Sequence, residues 1–292
     1  MSFQIIINIA LQFSIISLVG ISFFLIFNTG KYYAIHHSAI IALGGYFTFF
    51  FHRKFGVSLP ISIFSSIIIT GLLGLFIEFF IFKNLRKKSS ETFFMIIASL
   101  GIYVIMQNLI SIFWGDDSKT IRVGEVEVGN IFLGAYITDI QIVIIIVSII
   151  LIVLSLFFLK YTNLGKKMQA VSSNEELSNI FGINSNHVIL WSFGVGSALA
   201  AIAGILIILD TDMTPSTGFK YLFYGVVAMI IGGVGNFKGL IAGALILVTA
   251  QNLSAYYIDS KWMDATAYVI LILFLVWKPL GFSGKRLRKV EI

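Results

Sequence analysis

The residues that could carry chemistry in this chain are few and widely spaced. His36 and His37 sit side by side in KYYAIHHS. A histidine pair suggests a metal ion, but neighbouring helix positions point to different faces and structural zinc wants four ligands. No third ligand is near in sequence, so no metal site is expected. A polar lining for a solute path, or a hydrogen-bonded bend, fits His37 and Ser38 better. Glu78 stands one turn before Lys83 and Arg86 in EFFIFKNLR. An acid in an apolar run normally marks an ion or proton path; so close to a basic cluster, pairing with Lys83 or Arg86 is the simpler expectation. Gln107 and Asn108 suit hydrogen bonding between helices. The sequence has no cysteine, which removes thiolate ligands and thiol nucleophiles. GxxxxGK[ST], HExxH and GxSxG are all missing. The chain is therefore no P-loop ATPase by itself, no enzymatic function is expected, and it is expected to bind no cofactor.

Small residues form two regular sets. Gly196, Ala200 and Gly204 recur every fourth position, as do Gly235, Gly239 and Gly243. Each set lines one helix face and lets a neighbouring backbone approach. The second begins in Gly232-Gly233-Val234-Gly235-Asn236, where so many glycines cost too much entropy for a plain helix. A break or re-entrant turn is expected there, its backbone groups facing protein or a cavity. Both a structural role and a role in a solute path are open for it.

The stretch 162–187 is polar and holds its own helix signals. Ser173 and Glu176 have the spacing of a capping box, and Gly182 is a helix stop. Between them Leu177, Ile180 and Phe181 make one apolar face. A helix of two turns is too short to stand alone in water, so it needs a surface. Glu175 and Glu176 would repel anionic lipid, which favours a protein partner over the bilayer.

What must position these residues follows from composition. Of 292 residues 58% are hydrophobic and 12% charged, against about 25% charged in a soluble domain. That apolar content fills roughly eight or nine membrane helices of ~20 residues. Soluble enzymes and nucleic-acid binders are poor readings despite a net charge of +6. Apolar runs fall near 4–27, 37–51, 58–82, 92–114, 139–159, 188–209, 221–234, 239–258 and 263–277. They do not alternate as barrel strands would. An all-α integral membrane protein is expected: a polytopic bundle of about eight or nine segments, one or two of them broken or re-entrant. The short runs 37–51 and 221–234 are the candidates for half-helices. Residues 1–292 read as one membrane domain that keeps its first span. Basic residues cluster in 83–91, 160–187 and the tail from Lys278 through Lys289, whereas 115–138 carries Asp116, Asp117, Glu125 and Glu127. The positive-inside rule puts the basic segments in the cytoplasm, the C-terminus with them, and the N-terminus outside. His52-Arg53-Lys54 is discordant, since it falls outside.

These pieces together resemble the permease subunits of branched-chain amino acid ABC transporters, a family that includes urea-type permeases. His37 with Gly44, Gly45 and Tyr46 is similar to the family's N-F-A-H-G motif and its following glycines and tyrosine. Ala34 and Ser38 replace the usual Asn and Gly. EFFIFKNLR from Glu78 to Arg86 and SLGIYVIMQN from Ser99 to Asn108 also look like family segments. Thr162, Gly165, Ala170, Asn174, Gly182, Ile183 and Asn184 follow the family pattern, with Gln169 where Arg is usual. Gly232 to Asn236 is similar to its G-G-x-G-S, and Lys278-Pro279-Leu280-Gly281 to its closing motif. The resemblance implies that 162–187 docks on a separate ATPase. It implies a second permease (a copy or a paralogue), two ATP-binding subunits and an extracytoplasmic solute-binding protein, in a bacterial inner membrane. ATP would be used by the partner subunit and solute moved by alternating access. A urea or short-amide permease and an ATP-independent channel are the alternatives.

Overall fold

The computed structural model describes residues 3–88, 91–122, 129–132 and 134–282. Glu125, Glu127 and the basic residues from Lys285 to Lys289, which entered the charge reading, lie outside them. Seven helices among the described residues are long and apolar enough to cross a membrane. They are α1 (Phe3–Gly30), the continuous Leu59–Lys88, α5 (Thr92–Trp114), α6 (Asp139–Tyr161), α9 (Ser185–Asp210), α11 (Phe237–Tyr257) and Ser260–Trp277. Leu59–Lys88 comprises α3 (Leu59–Ile77), a π turn (Glu78–Phe82) and α4 (Lys83–Lys88). Ser260–Trp277 contains α12 (Met263–Trp277). Two further apolar helices are shorter: α2 (His37–Phe49) has 13 residues, 18 with the five-residue π turn (Phe50–Lys54) that continues it, and α10 (Thr217–Gly232) has 16. At 1.5 Å per residue both fall short of the ~30 Å hydrocarbon core. These are the half-helices anticipated at the two short runs. A small hairpin, β1 (Asn130–Phe132) with β2 (Ala135–Ile137), and two polar helices, α7 (Asn163–Ser173) and α8 (Glu175–Ile180), complete the chain.

The bundle is built from two inverted halves that the sequence does not reveal. In the first, α1 is followed by the irregular segment 31–36 and the half-helix α2; in the second, α9 is followed by 211–216 and α10. Helix α1 packs on α10 and α11, as α9 packs on α2 and α3. Likewise α2 packs on α5, and α10 on α12. The mates are therefore α1 with α9, α2 with α10, α3 with α11 and α5 with α12. They run in opposite directions: α1 ends beside α7, where Lys31 Nζ meets the Ser172 carbonyl at 2.5 Å, and α9 starts at that same end, just after α8. Helices α1 and α9 form the buried centre, while α5, α6 and α12 turn most of their apolar surface outward. Such a surface suits a hydrocarbon surrounding, because each helix satisfies its own backbone.

Both sets of small residues are packing surfaces. A Cβ on Gly196 would meet Ser22 O and the Ile26 side chain of α1. One on Gly204 would run into Ile41 O of α2, and one on Gly44 into the backbone of Ala201. Ala200 between them is fully buried. In the other set, Gly239 and Gly232 back onto each other and Gly243 onto Ala228 O, locking α10 to α11. Gly235 stands apart from that face, exposed in the turn. These are close backbone approaches of the kind that holds helices together where lipid offers no hydrophobic drive.

The discordant cluster His52-Arg53-Lys54 also has a structural cause. It forms the π turn (Phe50–Lys54) that ends α2, where basic side chains sit favourably on the helix C-terminus. His52 Nδ1 lies 2.8 Å from Val57 O.

Candidate functional site

The two irregular segments bring polar groups into the middle of the bundle. Lys31 takes a left-handed φ of 59° and turns the chain away from α1. His36 and His37 then enter the interior, fully enclosed. Ser99 Oγ accepts from the His36 backbone N–H at 3.0 Å and lies 2.9 Å from its Nδ1. The His36 ring stacks on Phe82 with centroids 4.9 Å apart and lies nearly parallel to Phe193 at 6.0 Å. His37 Nε2 is 3.0 Å from Ser22 Oγ, and its Nδ1 finds no hydrogen-bond partner among the described residues. The two rings thus use different partners, and no group of three or more His, Cys, Asp or Glu able to hold a metal occurs among the described residues.

The second segment ends beside the first. Pro215, which lacks an N–H, lies just before α10, and Thr217 Oγ1 accepts from Thr214 N at 2.9 Å to close the start of the helix. Gly218 then backs onto Ser38 O and Ala42 N, so the two half-helices meet near their N-termini. Ser38 donates to Ile35 O at 2.7 Å, which ties its hydroxyl to the bend. Gly44 and Gly45 lie against Ala201, Gly204 and Met213. Met213 in turn is bridged to Lys119 by two backbone hydrogen bonds of 2.9 Å. Discontinuous helices that meet inside a bundle hold the substrate sites of many secondary transporters.

The turn 232–236 breaks the helix, as its glycines suggested. It is the connector between α10 and α11, with Val234 and Gly235 exposed, and it is no re-entrant break. Asn236 caps α11 by accepting from Gly239 N at 3.0 Å, and Gly281 packs on Gly233. The glycines serve the tight helix–helix approach there. The irregular segments 31–36 and 211–216 carry no glycine; their signals were the short apolar runs beside them and, for the first, the polar bend at His36 to Ser38.

Glu78 pairs with Arg86 of its own span, the second of the two partners expected. Glu78 is 1% exposed. The π turn at Glu78–Phe82 keeps Glu78 and Phe82 both inward, and Phe82 packs on Tyr32 at 4.9 Å. Glu78 Oε2, Arg86 Nε and Nη1, and the Tyr32 hydroxyl have no protein partner among the described residues. A buried charge left alone costs far more than the pair gains. Glu78→Ala is expected to lower stability by about 3–5 kcal/mol, and adding Arg86→Met to recover part of that loss. Unfolding midpoints of the purified chain in detergent check both.

The segment 162–187 folds as two helices rather than one. Thr162 caps α7 by accepting from Gly165 N at 3.0 Å. Gly165 is pressed against Phe158 O and Leu159. Gln169 donates to Leu159 O at 2.7 Å, and Ala170 is half-buried. Gly165 and Gln169 thus hold α7 against the end of α6. The capping box expected at Ser173 and Glu176 does not form; a single asparagine cap one residue later takes its place. Ser173 still belongs to α7, and Asn174 caps α8 by accepting from Leu177 N at 2.9 Å. Asn caps at least as well as Ser. Gly182 ends α8 with a left-handed φ of 82°, and Asn184 caps α9 through His187 N at 3.1 Å. Glu175 and Glu176 sit in the first turn of α8, where the helix dipole favours them. Leu177, Ile180 and Phe181 are 49%, 79% and 77% exposed, an uncovered apolar face on a polar helix.

Sequence reasoning missed Lys31. Burial pushes its ammonium below the usual lysine range, and Glu175 opposes that. Only its left-handed backbone and its bond to Ser172 reveal that it joins α7 to the first break. Ser22 and Ser99 were missed for a similar reason: a lone serine in an apolar run carries no signal until a histidine is placed beside it. Asn108 was misjudged, since it donates to Val104 O at 2.7 Å within its own helix.

Seven membrane-length helices and two shorter apolar ones, arranged as two inverted halves, make this a multi-pass membrane protein. The chain belongs to the family described as branched-chain amino acid transport system / permease component, whose model matches residues 5–276. It is 29% identical over 227 residues to the high-affinity branched-chain amino acid transport system permease protein LivH of Salmonella typhimurium, covering 75% of this chain and 72% of that one. To BraD of Pseudomonas aeruginosa it is 28% identical over 228 residues, with 76% and 73% covered. The ribose import permease protein RbsC of Haemophilus influenzae is 27% identical over 241 residues, with 77% and 72% covered. Among solved structures, PsaBC from Streptococcus pneumoniae in complex with Fab aligns with a TM-score of 0.52 at 14% identity. The alignment covers 94% of this chain and 92% of that one, a likeness of fold. The chain is thus a permease subunit of a transport system.

Proposed function

We propose that this chain is the membrane-spanning half of an ATP-driven importer for branched-chain or related amino acids in a bacterial inner membrane. Its N-terminus faces outward, and α7, α8 and the C-terminus face the cytoplasm. It works with a second permease, two ATP-binding subunits and an external solute-binding protein. One observation carries the reading: α8 presents Leu177, Ile180 and Phe181 to solvent at the basic end, while α7 beside it grips Lys31 at the mouth of the first break. A partner seated on α8 can therefore pull on the segment that leads to His36 and His37. Alternating access then requires only that the ATP-closed partner bind one arrangement of the halves more tightly than the other.

The chain should co-purify with stoichiometric ATP-binding subunits. In proteoliposomes the complex should take up leucine only with ATP and the loaded binding protein. ATP-independent leucine flux through this chain alone would replace the importer reading with a channel. Failure of any ATP-binding subunit to associate would remove α8 as a coupling element.

A further inference from the structure

At the end opposite α7 and α8 lies a cavity of about 450 Å³ between α1, α10 and the start of α12. That is within the range of about 300–1,000 Å³ for small-molecule sites. Its floor is reached at Gln12 and Ile16 of α1, several turns into the bundle, and its rim includes Asp212 of the second break. The lining holds both signs of charge. Lys220 Nζ lies 3.0 Å from Asp264 Oδ1, and Tyr224 donates its hydroxyl to the same carboxylate, so this pair is neutral as a unit. Asp212 and Lys261 also line the cavity, and neither has an ion pair among the described residues. Ile16 and Met263 supply an apolar wall.

A wall with one unpaired anion, one unpaired cation and an apolar patch matches a zwitterion bearing a hydrocarbon side chain. A neutral amide such as urea meets neither charge, and a simple cation or anion meets one charge of its own sign. Resting on the importer reading, we propose that this cavity is a receiving subsite for a free apolar α-amino acid. Asp212 takes the ammonium, Lys261 takes the carboxylate, and the side chain lies toward Ile16 and Met263. The second break forms its rim, so occupancy is placed directly at the start of α10.

The test uses the assembled complex in lipid nanodiscs, without binding protein, and radiolabelled leucine. Saturable binding is expected, displaced by isoleucine but not by leucinamide, 4-methylpentanoate or urea. Asp212→Asn and Lys261→Gln should each weaken it at least about tenfold, while both variants still co-purify with their partners. Unchanged affinity in both variants, or displacement by urea, would overturn the subsite. So would the absence of leucine binding in a complex whose ATP hydrolysis is stimulated by leucine-loaded binding protein, and the importer reading would then stand. Absence of both binding and stimulation would overturn the importer reading and the subsite together.

Discussion

Replacing Leu177, Ile180 and Phe181 together by Ala will abolish most ATP-driven uptake while leaving the chain folded and inserted. The three side chains are largely exposed, so their removal takes little from the permease itself. Exposed surface substitutions usually stay within about 0.5 kcal/mol. At an interface the same truncations are costly, because central apolar anchors contribute more than about 1 kcal/mol each. Their combined loss should reduce occupancy of α8 by the ATP-binding subunit, and uptake with it, at least tenfold. Pull-down yield and leucine uptake, measured side by side, check the expectation. Near-normal uptake in the triple variant would show that α8 carries no coupling. The charged first turn at Glu175 and Glu176 is retained, so a loss cannot be assigned to melting of the helix.

Gly204→Ala is expected to cost about 3 kcal/mol or more, at the upper end of overpacking penalties. The added methyl runs into Ile41 O of α2, which is backbone and cannot rotate aside. To make room, α9 must withdraw from α2, and α1 leans on the same helix through Gly196. Gly101→Ala is the matched control. Nothing lies within 4 Å of a Cβ there, and the exchange inside α5 should be neutral or stabilising by about 0.5–1 kcal/mol. Unfolding midpoints of the two variants in detergent should move in opposite directions, or Gly101→Ala should not move at all. Equal losses would mean that helix propensity, and not backbone contact, governs these glycines.

Much of this was legible in the residues before any coordinates. The apolar runs located the spans because a helix in lipid must be apolar along its whole length, a demand that one sequence window records. The same logic found both half-helices, since a run too short to span is visible as a number. Gly182 was read correctly because a left-handed helix stop is a local requirement. The cap of α8 was read one residue early, because Ser173 and Asn174 are both good caps and only the end of α7 chooses between them. At 232–236 the glycines did mark a break, but whether it re-enters the bundle or joins two helices was not legible, because glycines serve close approach as readily as a turn.

Composition and local pattern alone therefore specified the membrane class, the number of segments, the exposed apolar face of α8 and the small-residue faces. Each of these follows from interactions within a turn or two of chain or with the surrounding lipid. The inverted pairing of α1 to α3 with α9 to α11, the meeting of Ser38 with Gly218, the Ser22 and Ser99 partners of the histidines and the mixed-charge cavity all required the packed chain. They join residues many turns apart, and no local pattern encodes which distant backbone a glycine or serine will face.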